Sequence, residues 1–171
     1  MIRTDLANAH VQRTLRPLYG WTQTTPKDQK LDPEWDRSVD IYPGMVAMKT
    51  EGDQVTLLND TGEPLGLFGL YIGGDGIDEP RRSGVNSVAV WVMAPDAEFE
   101  VLAPAFDTTA TWEEEGDGTV ILVSAHTTGE NRGKLKPAAA GETAVARLIR
   151  VDGANKIVVG GLAVGDAVPA T

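Results

Sequence analysis

Apolar residues in this chain come in short runs that alternate with polar ones and are cut every few positions by glycine, proline or an Asp/Asn turn signal. Such punctuation predicts β-strands joined by tight turns. From Met45 onward, VAMKT, the turn EGD, QVTLLN, the turn DTGEP and LGLFGLYI read as a β-meander with hairpin-sized connections. The run NSVAVWVMA puts Val88, Val90 and Val92 on one face of a strand and Ala89, Trp91 and Met93 on the other. Both faces are apolar, so one meets the core while the other needs a second layer or another subunit. In AEFEVL the alternation is clean, with Phe99 and Val101 facing in and Glu98 and Glu100 facing out. Strands follow at GTVILVSAH, AVARLIRV and KIVVGGLAV, the last two joined by DGAN, whose Asp-Gly step is a strong hairpin signal. There is no internal repeat.

Upstream of Met45 the pattern fades. Thr4 to Leu15 is the one helical candidate, with Thr4 as cap, Leu6, Val11 and Leu15 near one face, and Pro17 ending it. Gly20 to Pro43 is polar and proline-punctuated with isolated aromatics, which suits an extended arm better than a packed element. The expected architecture is therefore all-β: residues 1–40 as an N-terminal arm and residues 41–171 as a single compact β-meander, barrel-like or sandwich domain. A chain starting near Ile41 is expected to fold without the arm. Leu15, Leu18, Tyr19, Trp21, Trp35 and Tyr42 stand in or beside that arm, and large apolar side chains in such company are either anchors on a partner or folded back on their own domain.

At 171 residues the length suits one domain with a real core. Fifteen Lys and Arg against 25 Asp and Glu give a formal charge of -10, which repels phosphate backbones and anionic membranes, so no nucleic acid and no membrane partner is expected. Without cysteine there is no disulfide, thiolate metal site or cysteine nucleophile. No continuous apolar segment near the N-terminus resembles a signal sequence, and the protein is expected to be soluble where it is made.

Candidate chemistry is sparse. The loop GGDGIDEP crowds Asp75, Asp78 and Glu79 together, which suggests a hard-cation site, but ligands at alternate positions with a late bidentate Glu are missing. Arg81 and Arg82 follow at once and neutralise it, so a rim or intersubunit loop without metal is expected. Ser124 and His126 lie two apart on one strand, the minimum for a nucleophile and its base, yet no G-x-S-x-G elbow and no orienting carboxylate accompany them. His10 stands alone in the arm, and Glu113, Glu114 and Glu115 form a turn-like run rather than facing acids from separate elements. No phosphate loop, zinc spacing or dinucleotide fingerprint is present, and no cofactor is expected.

The stretches IYPGMVAMKTEGDQVTLLNDTGEPLGLFGLYIGGDG and NSVAVWVMAPDAEFEVLAPAF share an order of elements: a glycine-led strand, a hairpin, a Pro-Leu-Gly strand, then a valine-rich strand running into EFEV. In this layout, from Ile41 to Phe106, the chain resembles the capsid decoration, or cement, proteins of tailed bacteriophages. The resemblance implies a non-enzymatic virion protein on the capsid exterior, assembled in the host cytoplasm, with the major capsid protein as partner. It also implies an arm that orders on the shell and a homo-oligomer, most often a trimer. Rival readings are a phage tail or baseplate β-module, a cellular binding domain, and a small serine hydrolase using Ser124 and His126.

Overall fold

The computed structural model describes residues 14–19, 26–73, 87–113 and 120–162. Among these, eleven strands and one short 3-10 turn, Glu51–Asp53, make up the regular structure. The strands are β1 (Leu15–Tyr19), β2 (Pro26–Leu31), β3 (Val46–Lys49), β4 (Gln54–Leu57), β5 (Pro64–Phe68), β6 (Ser87–Trp91), β7 (Glu98–Leu102), β8 (Leu122–Ala125), β9 (Leu135–Pro137), β10 (Ala146–Val151) and β11 (Lys156–Gly160). The expected all-β class is what the chain adopts. Leu15 opens a strand, so the expected helix does not reach it, and residues 4–13 lie outside the described residues.

Two sheets share the eleven strands. One is a closed barrel in the order β2-β4-β3-β5-β6, and the other is a six-stranded sheet in the order β1-β7-β11-β10-β8-β9. The hairpins β3–β4 and β10–β11 stand where the EGD and DGAN turns place them. Closure of the barrel depends on β2, which runs parallel to β4 through Lys30 and Leu31 and antiparallel to β6 along Pro26 to Lys30. Closing a sheet on itself removes the open edges that would otherwise recruit other chains.

This places part of the expected arm inside the fold. Its residues 15–19 hydrogen-bond to β7, residues 26–31 complete the barrel, and Leu31 and Trp35 belong to the core at 8% and 4% exposure. Main-chain pairing explains the difference: β2 reads PKDQKL, and a strand with so few apolar side chains is held by its ladder bonds on both sides rather than by an apolar face.

A single hydrophobic cluster joins both sheets, from Met45, Val55, Leu57 and Phe68 of the barrel to Phe99, Val101, Ile157 and Val159 of the sheet. The two apolar faces of β6 are thereby accounted for. Val88 and Val90 point into the core at 1% and 0% exposure, while Trp91 on the other face meets Phe99 of β7 edge to face, with ring centroids 5.4 Å apart. The second layer is the protein's own sheet. Gly66 of β5 lets the backbones of β5 and β6 close up at this seam, since a Cβ there would collide with the Trp91 carbonyl.

Candidate functional site

The β8–β9 hairpin carries the polar groups that the sequence marks as chemical. Ser124 faces Lys136 across the ladder, and β8 ends at Ala125, so His126 leaves the strand just beyond it. Its backbone still pairs, donating to the Lys134 carbonyl at 3.0 Å and accepting from Gly133 N–H at 2.7 Å. Ser124 and His126 do not hydrogen-bond to each other; each has its own carboxylate.

Ser124, 2% exposed, donates its hydroxyl to Glu142 Oε2 at 2.7 Å. The same carboxylate takes Lys136 Nζ at 2.5 Å and 2.7 Å and the Ala139 N–H at 2.9 Å. Burial works against ionisation of Glu142, but Lys136, Ala139 and Ser124 together hold its carboxyl below the ordinary value. A hydroxyl that is buried and donating to a carboxylate anchored by an ammonium has no free base to activate it.

His126 Nε2 lies 2.8 Å from Asp107 Oδ2. Asp107 also caps its own turn, accepting from the Thr109 hydroxyl at 2.7 Å and the Thr109 N–H at 2.8 Å, while its carbonyl accepts the Trp112 indole N–H at 2.7 Å. Trp112 in turn stands edge-on to Phe106 at 5.6 Å. The group is a clasp between the β7–β8 connection and the hairpin. The Thr109 hydroxyl first, then the Thr109 amide and His126, bring the Asp107 carboxyl down to about 2 against burial that pushes the other way. Sequence reasoning missed Asp107, Lys136 and Glu142, because only the fold brings them to Ser124 and His126.

A pH prediction follows from Asp107. Its folded value lies below its ordinary 3.8, so the stability it confers is present above about pH 4 and lost as pH falls towards 2. The expected loss is about 1–2 kcal/mol across that window. In thermal melts from pH 5 to pH 2, Asp107→Asn should show a shallower decline than the natural chain. Parallel curves would remove the clasp from the list of stabilising features.

The residues expected to touch a partner are found in different settings. Leu15 and Leu18 are half-buried on β1, an edge strand whose Pro17 has no N–H to offer a further strand. Tyr19 closes β1 opposite Glu98. Tyr42 is half-buried, its ring tilted against Tyr71 at 5.2 Å, and burial together with Asp40 raises its phenol pKa. Trp35 is a core residue. Trp21 and the loop Asp75, Asp78, Glu79, Arg81 and Arg82 lie outside the described residues. Among the described residues no group of three or more His, Asp or Glu is arranged to hold a metal ion, and no helix is long and apolar enough to cross a membrane.

The described residues also form two charged surfaces. On the outer face of the six-stranded sheet, Glu100 of β7 is only 8% exposed because it lies between Arg16 of β1 at 3.1 Å and Lys156 of β11 at 3.4 Å. Beside β3 and β4 of the barrel, a groove of about 700 Å³ is lined by Asp32, Glu34, Asp36, Lys49, Glu51 and Arg132, with smaller polar groups between them. Neither surface contains an assembled nucleophile and base. Comparison with curated proteins and with solved structures gives no match. A family model described as phage cement protein matches residues 1–167, and the chain belongs to that family.

Proposed function

We propose that this member of the phage cement protein family binds the outer surface of a phage capsid and stabilises the shell, with the major capsid protein as its partner. The family match over residues 1–167 carries the reading, since it spans nearly the whole chain and concerns a structural component of the phage capsid. The local chemistry supports it: Ser124 and His126 are engaged by Glu142 and Asp107 in two separate structural clusters, so the hydrolase alternative has no assembled dyad to build on. An acidic exterior suits attachment outside a shell whose interior holds nucleic acid. The half-buried Leu18 and Tyr42 are retained as contact residues, together with Trp21; Trp35, being in the core, is not.

The test uses purified capsids lacking this protein. Added chain should co-sediment with them to a saturating level and raise the temperature at which the shells open. Absence of saturable binding, with the chain shown to be folded, would overturn the assignment.

A further inference from the structure

A protein of net charge -10 meets its own copies with repulsion unless it has a face on which the charge is reversed. The outer face of the six-stranded sheet is such a place. Residues directly opposite one another in a ladder share a face, so Arg16 opposite Glu100, Arg150 opposite Val158, and Arg147 opposite Gly160, itself opposite Glu98, all stand on the side away from Phe99 and Val159. With Lys156 and Asp152, this face carries four cations against three carboxylates. Arg16, Arg150 and Lys156 reach solvent, with side chains 64%, 45% and 36% exposed. Their pairs with Glu100 and Asp152 are therefore partial and leave donors open.

Arg147 is different. It has no ion pair among the described residues, and its Nε is buried without a hydrogen-bond partner. Gly160 makes room for it: a Cβ at that position would stand 3.4 Å from Arg147 Nε and 2.9 Å from Ile149 Cδ1. Arg147 Nε thus lies against Gly160 of β11, and no carboxylate pairs with this side chain among the described residues.

At the barrel groove the balance is reversed. Asp32, Glu34, Asp36 and Glu51 face two cations that already have partners, Lys49 on Asp53 at 3.2 Å and Arg132 on Asp36 at 2.9 Å. Glu34 and Glu51 are exposed and unpaired among the described residues. The large hydrophobics exposed among the described residues are only Leu70 and Val120, so an interface between described surfaces has charge rather than an apolar patch to give it direction.

We propose that the outer face of the six-stranded sheet, centred on Arg147 and Arg150, is a docking surface for a second copy of this chain, which presents its acidic barrel groove. The two surfaces differ, so the contact is heterologous: repeated, it closes into a ring when the rotation per step allows, and otherwise extends as an open chain. Binding to the capsid is not assumed.

Sedimentation velocity of the full chain without capsids tests this. The natural chain should self-associate with rising concentration. Arg147→Glu with Arg150→Glu, and separately Glu34→Lys with Glu51→Lys, should each lower the association constant at least tenfold, and an equimolar mixture of the two should recover assembly between them. If the double arginine variant does not fold, Arg150→Glu alone, at an exposed position, makes the same comparison. A natural chain that stays monomeric at the highest concentration, single-surface variants that assemble as before, or a mixture without recovery would each overturn the proposal. Because no capsid is present, none of these results bears on the capsid assignment.

Discussion

Deleting residues 1–40 is expected to leave a chain that does not fold cooperatively. The deletion removes β2, which bonds β4 on one side and β6 on the other, so the barrel opens and both neighbours become unpaired edges. It also removes β1 from the edge of β7 and takes Leu31 and Trp35 out of the core. Burial lost at two large side chains is roughly 2–5 kcal/mol each, and the ladder bonds come on top of that. A domain of this size has a net stability of about 5–15 kcal/mol, so the sum is of the same order as everything the fold has. The measurement is a thermal melt by far-ultraviolet circular dichroism together with the dispersion of backbone amide signals. A sharp transition near that of the full chain would show that the barrel closes without β2. That outcome is what the sequence pattern alone leads one to expect; the pairing of β2 with β4 and β6 argues for the opposite result.

The strands from Met45 onward were legible because their side chains carry the information. In SVAVW, burial alternates from Val88 to Trp91, and in EFEVL the apolar Phe99 and Val101 go to the core as the period-2 pattern reads, with Glu100 between them covered by its ion pairs. β2 and β9 are invisible to the same reading. PKDQKL offers one apolar residue at its end and is placed by hydrogen bonds to β4 and β6, distant in the chain, while LKP is only three residues long and is placed by its hairpin with β8. β1 was obscured by Pro17, which is tolerated there because β1 is an edge. The polar clusters show the same limit. Sequence read Ser124 and His126 as neighbours on one strand, but β8 ends at Ala125, and their carboxylates come from Glu142, 18 positions on, and Asp107, 19 positions back. Spacing along one strand cannot report partners delivered by loops. The family resemblance, by contrast, was readable from the order of strands and turns, which the fold preserves.

Trp35→Ala is expected to destabilise the protein by about 3–5 kcal/mol, the usual cost of truncating a large buried aromatic. Two structural facts set the size of the effect. Trp35 is 4% exposed within the shared core, and its backbone is fixed by its own turn, with Trp35 N–H donating to the Asp32 carbonyl at 3.2 Å and Glu34 N–H to Asp32 Oδ1 at 2.9 Å. The segment therefore cannot collapse easily into the space left behind, which places the cost in the upper part of the range. Arg37 stacks over the ring at 5.7 Å and would lose that contact as well. At roughly 2–4 °C per kcal/mol for a chain of this length, the melting temperature should fall by roughly 6–20 °C. Trp35→Phe, which keeps an aromatic body in the pocket, should recover a large part of it. A residue acting as an anchor on a partner would behave in the opposite way, leaving the melting temperature of the free protein unchanged while weakening binding. Measuring both quantities on the same two variants separates the cases: a normal melt with lost capsid binding would return Trp35 to the docking surface, whereas a lowered melt in the free protein, eased by phenylalanine, fixes it as part of the core that holds β2 in the barrel.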